Sequence, residues 1–120
     1  MKELTRLEEQ LMQLVWQMEE AFVRDIIDAM PEPKPANSTV STMLRILVSK
    51  GFLETETRGK SHLYRPLIQK DEYMRFAAKG LLKSYFNGSV AGLVSFFAKQ
   101  ENLKESELEE IARIIQNKGK

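Results

Sequence analysis

The chain has 120 residues, 42% of them hydrophobic, and its 18 Lys and Arg against 17 Asp and Glu give a formal charge of +1. That length supports one modest core, or one small domain with an arm that needs a partner, and the near-neutral balance says nothing about partners. The absence of cysteine excludes disulfides and thiolate metal sites. No run approaches the roughly 20 apolar residues of a membrane span, and the opening MKELTRLEEQ has no apolar signal core, so the expectation is a soluble cytoplasmic protein without membrane insertion.

Leu4 to Met18 starts with Thr5 and Glu8 in capping-box spacing and carries an apolar stripe of Leu4, Leu7, Leu11, Leu14, Val15 and Met18, which predicts an amphipathic helix. Trp16 lies off the middle of that stripe and is expected to pack at the core edge rather than stack on a base. Ala21 to Met30 predicts a second, shorter helix with Phe22, Ile26, Ile27 and Met30 inward. Pro31, Pro33 and Pro35 then impose an extended connector, because each proline disfavours helical geometry in the residue before it.

The most informative stretch is Ala36 to Arg65. Asn37, Ser38 and Thr39 lead into Val40, Met43, Leu44 and Leu47, and Lys50-Gly51 closes the run, a spacing that predicts a third helix ended by glycine. Phe52 to Thr57 and His62 to Arg65 are two extended runs around the turn Arg58-Gly59-Lys60-Ser61. Helix, helix, helix and hairpin over residues 1–66 is the order of a winged helix-turn-helix domain. The third helix leaves Ser38, Ser41, Thr42, Arg45 and Ser49 opposite its apolar face, and no acid occurs from Pro35 to Leu53. Small hydroxyls let a helix approach base edges and phosphates, whereas a carboxylate there would be repelled. Residues 34–66 hold six basic side chains (Lys34, Arg45, Lys50, Arg58, Lys60, Arg65) against two acids (Glu54, Glu56), a concentration of positive charge that suits a phosphate-binding surface. Double-stranded DNA is therefore the expected partner, read by Asn37, Ser38, Thr39, Ser41, Thr42, Arg45 and Lys50 with Arg58, Lys60, His62 and Tyr64 from the hairpin. The plainer alternative is a half-buried helix whose polar face packs near another segment.

From Leu67 the character changes. Lys70 to Phe86 predicts a helix with Tyr73, Phe76, Ala77, Gly80, Leu81 and Tyr85 on one side, ended by Asn87-Gly88. Ser89 to Lys99 predicts another with Val90, Leu93, Val94 and Phe97 in step, and Glu105 to Asn117 a third with Leu108, Ile111, Ala112 and Ile115 inward. Three helices in residues 67–120 cannot enclose this apolar surface alone, so the expectation is a helical dimerisation arm. Tyr85, Phe86, Val90, Leu93, Val94, Phe97, Leu108, Ile111 and Ile115 are its candidate interface residues. Folding of the arm back onto the first domain is the alternative. The fold class is thus mostly α with a small β hairpin, and a homodimer would hold two reading domains over an inverted repeat.

The segments LTRLEEQLMQLVW, TVSTMLRILVSKGFL (Thr39 to Leu53), RGKSHLYRPL (Arg58 to Leu67) and YFNGSVAGLVSFF (Tyr85 to Phe97) make the chain resemble the penicillinase repressors of the BlaI and MecI type and their copper-responsive CopY relatives. The resemblance covers nearly the whole chain. It implies a dimeric repressor whose winged helix binds palindromic operators, with the reading helix at Ala36 to Lys50 and the wing at Arg58 to Tyr64. It also implies a membrane sensor with a zinc-protease domain, after whose activation the arm is cut. The matching bond would be Ser95-Phe96, although the penicillinase repressors have Asn where this chain has Ser95. Ile46 stands at a place often basic in the family. The Cys-rich metal tail of the copper-responsive branch is absent.

Nothing in the residues points to catalysis, a cofactor or a metal. His62 is the single histidine and has no acid at helical spacing. The carboxylates at Glu8-Glu9, Glu19-Glu20 and Glu105 to Glu110 read as solvated helix faces, and Gly59 lacks the companion glycine and spacing of a phosphate loop. A winged-helix adaptor using the same surface for protein contacts is the competing class, since a fold does not dictate function.

Overall fold

A computed structural model describes residues 1–100 and 103–118. Thr5 and Glu8 form the capping box that starts α1 (Arg6–Met18): Thr5 Oγ1 accepts from the Glu8 N–H at 3.3 Å, and Glu8 Oε1 accepts from the Thr5 N–H at 2.8 Å. Leu11, Met12 and Val15 are its fully buried apolar residues, whereas Leu14 and Met18 are half-buried. Trp16 lies at the core edge, its Nε1 donating to the Ile68 carbonyl at 2.8 Å.

The predicted second helix begins later than its apolar pattern suggests. Ala21–Phe22 is a two-residue strand, β1, and α2 spans Val23–Ala29. Ala21 pairs with Tyr64 and Phe22 with Leu63, so these residues close the open edge of the hairpin strand instead of extending the helix. Two residues are too few to leave an alternating signature. Past Met30, Lys34 Nζ donates to the carbonyls of Ile27, Asp28 and Met30 at 3.1, 3.0 and 2.8 Å, capping the end of α2, where Ile27 also accepts from the Met30 N–H.

Helix α3 (Asn37–Ser49) buries Val40, Leu44 and Leu47. At its end Gly51 adopts φ 82°, the Gly51 N–H donates to Val48 and the Phe52 N–H to Leu47, both at 3.0 Å. This pair of bonds is a Schellman closure, which needs a left-handed residue and therefore favours glycine. It turns the chain directly into β2 (Leu53–Arg58), which runs antiparallel to β3 (Ser61–Pro66) and gives the sheet order β1-β3-β2. Arg58 pairs with Ser61, leaving Gly59 and Lys60 as a two-residue tip, with Gly59 at φ 63°. This is a winged helix-turn-helix fold.

The chain divides into two compact units, residues 1–77 and 78–120. The first turns of α4 (Lys70–Phe86) belong to the first unit, because Tyr73 sits in its core. The Tyr73 ring packs edge-on to Phe52 with centroids 5.7 Å apart, and its hydroxyl accepts from the Leu4 N–H at 2.9 Å. The second unit contains the rest of α4 with α5 (Val90–Gln100) and α6 (Glu105–Lys118). Asn87 and Gly88 end α4 at φ 50° and 78°, and Ser89 Oγ accepts from the Gly92 N–H at 2.9 Å to start α5. Phe96 packs edge-on to Phe86 at 5.9 Å and to Phe97 at 5.6 Å. No residue of α5 or α6 is buried.

Candidate nucleic-acid interface

The inner face of α3 is fixed by Val40, Leu44 and Leu47, and the geometry of a helix then dictates what faces outward. Asn37, Ser38, Thr39, Thr42 and Arg45 are exposed, Ser41 is half-buried, and the first turn contains no acid. The N-cap is Ala36, whose side chain cannot accept a hydrogen bond, so no side chain caps the first turn, and the Thr39 N–H turns back to the Ala36 carbonyl at 3.0 Å. Ile46 lies on the exposed side as well.

Register places the wing beside the start of α2. Phe22 opposite Leu63 and Ala21 opposite Tyr64 bring the start of α2 alongside His62 and Ser61. The result is a groove of about 540 Å³ lined by Asn37 and Ser41 from α3, Arg58, Lys60, Ser61 and His62 from the wing, and Phe22 to Asp25 from the start of α2. Arg24 is the functional candidate that the sequence reading leaves out. Its position depends on β1, which has no period to detect.

Two expected contacts face inward. Tyr64 is only 4% exposed and belongs to the hydrophobic core, so its ring is not available to a duplex. Lys50, at the C-cap of α3, donates to Glu8 Oε1 at 2.8 Å, and Glu8 is 1% exposed. Burial alone would raise the Glu8 carboxyl, but the Lys50 ammonium together with the Thr5 N–H and hydroxyl outweighs it and holds that carboxyl below the ordinary range.

The local excess of positive charge is also partly spent within the fold. Arg65 pairs with Glu20 at 3.0 Å, Glu56 at 2.9 Å and Glu54 at 3.7 Å. Arg58 pairs with Glu56, whose carboxyl is lowered by Arg58 first and Arg65 second. Lys34 caps α2. Among the described residues, Arg24, Arg45 and Lys60 make no ion pair. His62 Nδ1 lies 3.3 Å from Thr57 Oγ1 across the hairpin.

In the second unit, the candidate dimerisation residues stand on three helices. Tyr85 and Phe86 are on α4, Val90, Leu93, Val94 and Phe97 on α5, and Leu108, Ile111 and Ile115 on α6. Tyr85 is 77%, Ile115 66% and Val90 60% exposed, while Phe86, Leu93, Val94 and Ile111 are half-buried. Ser95 and Phe96 are both exposed within α5. Among the described residues, no helix is long and apolar enough to cross a membrane, and no three His, Asp or Glu side chains converge as metal ligands.

The family model described as penicillinase repressor matches residues 4–117. The chain belongs to the penicillinase repressor family. The family comprises DNA-binding transcriptional repressors, which are not enzymes. The chain is 25% identical over 117 residues to the methicillin resistance regulatory protein MecI of Staphylococcus aureus, covering 97% of this chain and 95% of that one. It is 23% identical over 108 residues to the penicillinase repressor of Bacillus licheniformis, covering 89% and 84%. Among solved structures, the DNA-binding domain of the repressor BlaI superposes with a TM-score of 0.52 at 25% identity, covering 61% of this chain and 94% of that one. The monomeric form of Bacillus licheniformis BlaI in complex with the blaP half-operator has the same fold, with a TM-score of 0.50 at 23% identity over 60% of this chain and 89% of that one.

Proposed function

We propose that this penicillinase repressor family member acts as a homodimer on palindromic operators, with α3 of each subunit in the major groove and the wing on the flanking backbone. The observation that carries the reading is the acid-free outward face of α3, lined with small hydroxyls and Arg45, beside a wing whose Lys60 makes no ion pair among the described residues. The contact set is Asn37, Ser38, Thr39, Ser41, Thr42, Arg45, Arg58, Lys60 and His62. Lys50 and Tyr64 instead hold the helix and the wing in place from within. Dimerisation through the second unit is supported by the exposed apolar side chains of α5 and α6, which nothing within the described chain covers completely.

Release from DNA by cutting at Ser95-Phe96 after a membrane sensor protease is activated belongs to the same proposal. This bond lies within α5, so a protease that reads extended chain would have to unwind the helix first. The decisive experiment is selection from a randomised duplex library, followed by titration of the selected duplex at several salt concentrations. An inverted repeat should emerge, and its affinity should fall steeply with salt and exceed that for random duplex. Enrichment of no symmetrical site, together with salt-independent binding, would mean that this surface serves a protein partner.

A further inference from the structure

We propose that the groove between the start of α2 and the wing holds a phosphodiester of the bound DNA strand, clamped by Arg24 from one wall and Lys60 from the other. The proposal rests on the DNA-binding reading above and adds a contact on α2 that neither the sequence pattern nor the family match assigns. Antiparallel pairing of Phe22 with Leu63 places the start of α2 next to Ser61 and His62, so cations far apart in the chain line one groove. Arg24 is exposed and Lys60 is exposed, and neither makes an ion pair among the described residues. Asn37 and Ser41 line the same groove and supply hydrogen-bonding groups, with Ser41 Oγ donating to Asn37 Oδ1 at 3.2 Å.

One anion shares the site. Asp25 also lines the groove, and its Oδ2 accepts from the Phe22 N–H at 2.9 Å, so it is held in place as a local brace for the strand-to-helix turn. Arg58 is occupied by Glu56, which leaves Arg24 and Lys60 to outweigh Asp25. Guanidinium and ammonium together suit a phosphodiester. The guanidinium offers a planar pair of donors and the ammonium a compact point charge.

The test compares the full-length protein with Arg24→Ala, Arg24→Lys, Lys60→Ala and Asp25→Asn, titrated with a mixed-sequence duplex across a salt series. Arg24→Ala should lower affinity and flatten the dependence of log K on log salt by about one unit, as expected for a lost phosphate contact, and Arg24→Lys should restore most of the slope. Asp25→Asn keeps an acceptor for the Phe22 N–H and removes the charge, so binding should tighten severalfold at low salt. If Arg24→Ala binds like the parent while Lys60→Ala loses affinity and slope, the clamp is overturned and the DNA-binding reading stands. If the parent shows no salt-dependent duplex binding, both fall. Inorganic phosphate is the second probe. Equal perturbation of the Arg24 Nε–H resonance by phosphate and by duplex, with an unchanged slope in Arg24→Ala, would mark a site for free phosphate and overturn the proposal.

Discussion

Glu8 carries more structural consequence than a surface-type residue on an amphipathic helix would suggest. A single carboxylate oxygen accepts from the Thr5 N–H and from Lys50 Nζ, each at 2.8 Å, so it caps α1 and ties the end of α3 to the start of α1. Removing its charge leaves the Lys50 ammonium facing a buried amide. Breaking a fully buried pair costs about 3–5 kcal/mol, but the Lys50 side chain is 22% exposed and can turn to water. The expected cost of Glu8→Gln at neutral pH is therefore about 1–3 kcal/mol. Because the folded state lowers the Glu8 carboxyl, its contribution is fully present above the unfolded value and disappears as the pH falls through the folded one. Urea denaturation of parent and variant should differ at neutral pH and converge well below the ordinary carboxylate range. A gap of the same size at both pH values would show that packing, not charge, accounts for the loss.

At the scale of elements, the longer helices were legible because each carries a period, and the hairpin because a glycine turn separates two extended runs. α4 could be bounded from Lys70 and Asn87-Gly88, and the wing from Gly59 between two extended runs. The strand β1 was not legible, since Ala21 and Phe22 fit the inward positions of a helix equally well and become a strand only because β3 lies beside them. The groove containing Arg24 was hidden for the same reason. Nor does composition reveal that Arg65, Lys50 and Lys34 are held by partners within the fold, Arg65 by surface glutamates, Lys50 by the buried Glu8 and Lys34 by the carbonyls at the end of α2, which makes the regional charge a poor count of cations available to DNA. Different elements should therefore fail differently. Lys60→Ala should weaken all duplexes alike and reduce the salt slope by about one unit, whereas Arg58→Ala should have the smaller effect, because Arg58 must leave Glu56 before it can meet a phosphate. Thr42→Ala, on the exposed face of α3, should leave the slope intact and broaden base preference. Fluorescence anisotropy over a panel of single-base operator variants separates the two classes, and an unaltered preference profile for Thr42→Ala would remove α3 as the reading element.

At the scale of the whole molecule, the two units differ in how they bury apolar surface. The first encloses Phe52, Leu11, Met12, Ile26, Leu44 and Leu47 completely, whereas α5 and α6 contain no fully buried residue and leave Val90, Phe97, Leu108 and Ile115 exposed. Apolar area is worth about 25 cal/mol per Å² removed from water, so a second copy placed over these side chains supplies the burial that the helices lack. Val94 is half-buried on α5, as is Leu93, while Phe96 and Phe97 of the same helix are exposed. In the proposed dimer, Val94→Asp would place two like charges in an apolar contact, each unpaired. Either must remain charged at a desolvation cost or be protonated against its ordinary preference. A penalty of a few kcal/mol follows, roughly a hundredfold or more in the dimer dissociation constant. Sedimentation equilibrium should show the parent as a dimer and Val94→Asp shifted toward monomer, with the thermal unfolding of the first unit retained. Affinity for an inverted repeat should drop together with the dimer, while affinity for an isolated half-site stays near the parent value, because the surface made by α3 and the wing is untouched. An intact Val94→Asp dimer would move the interface away from α5. Loss of half-site binding in that variant would mean that the second unit shapes the reading surface itself.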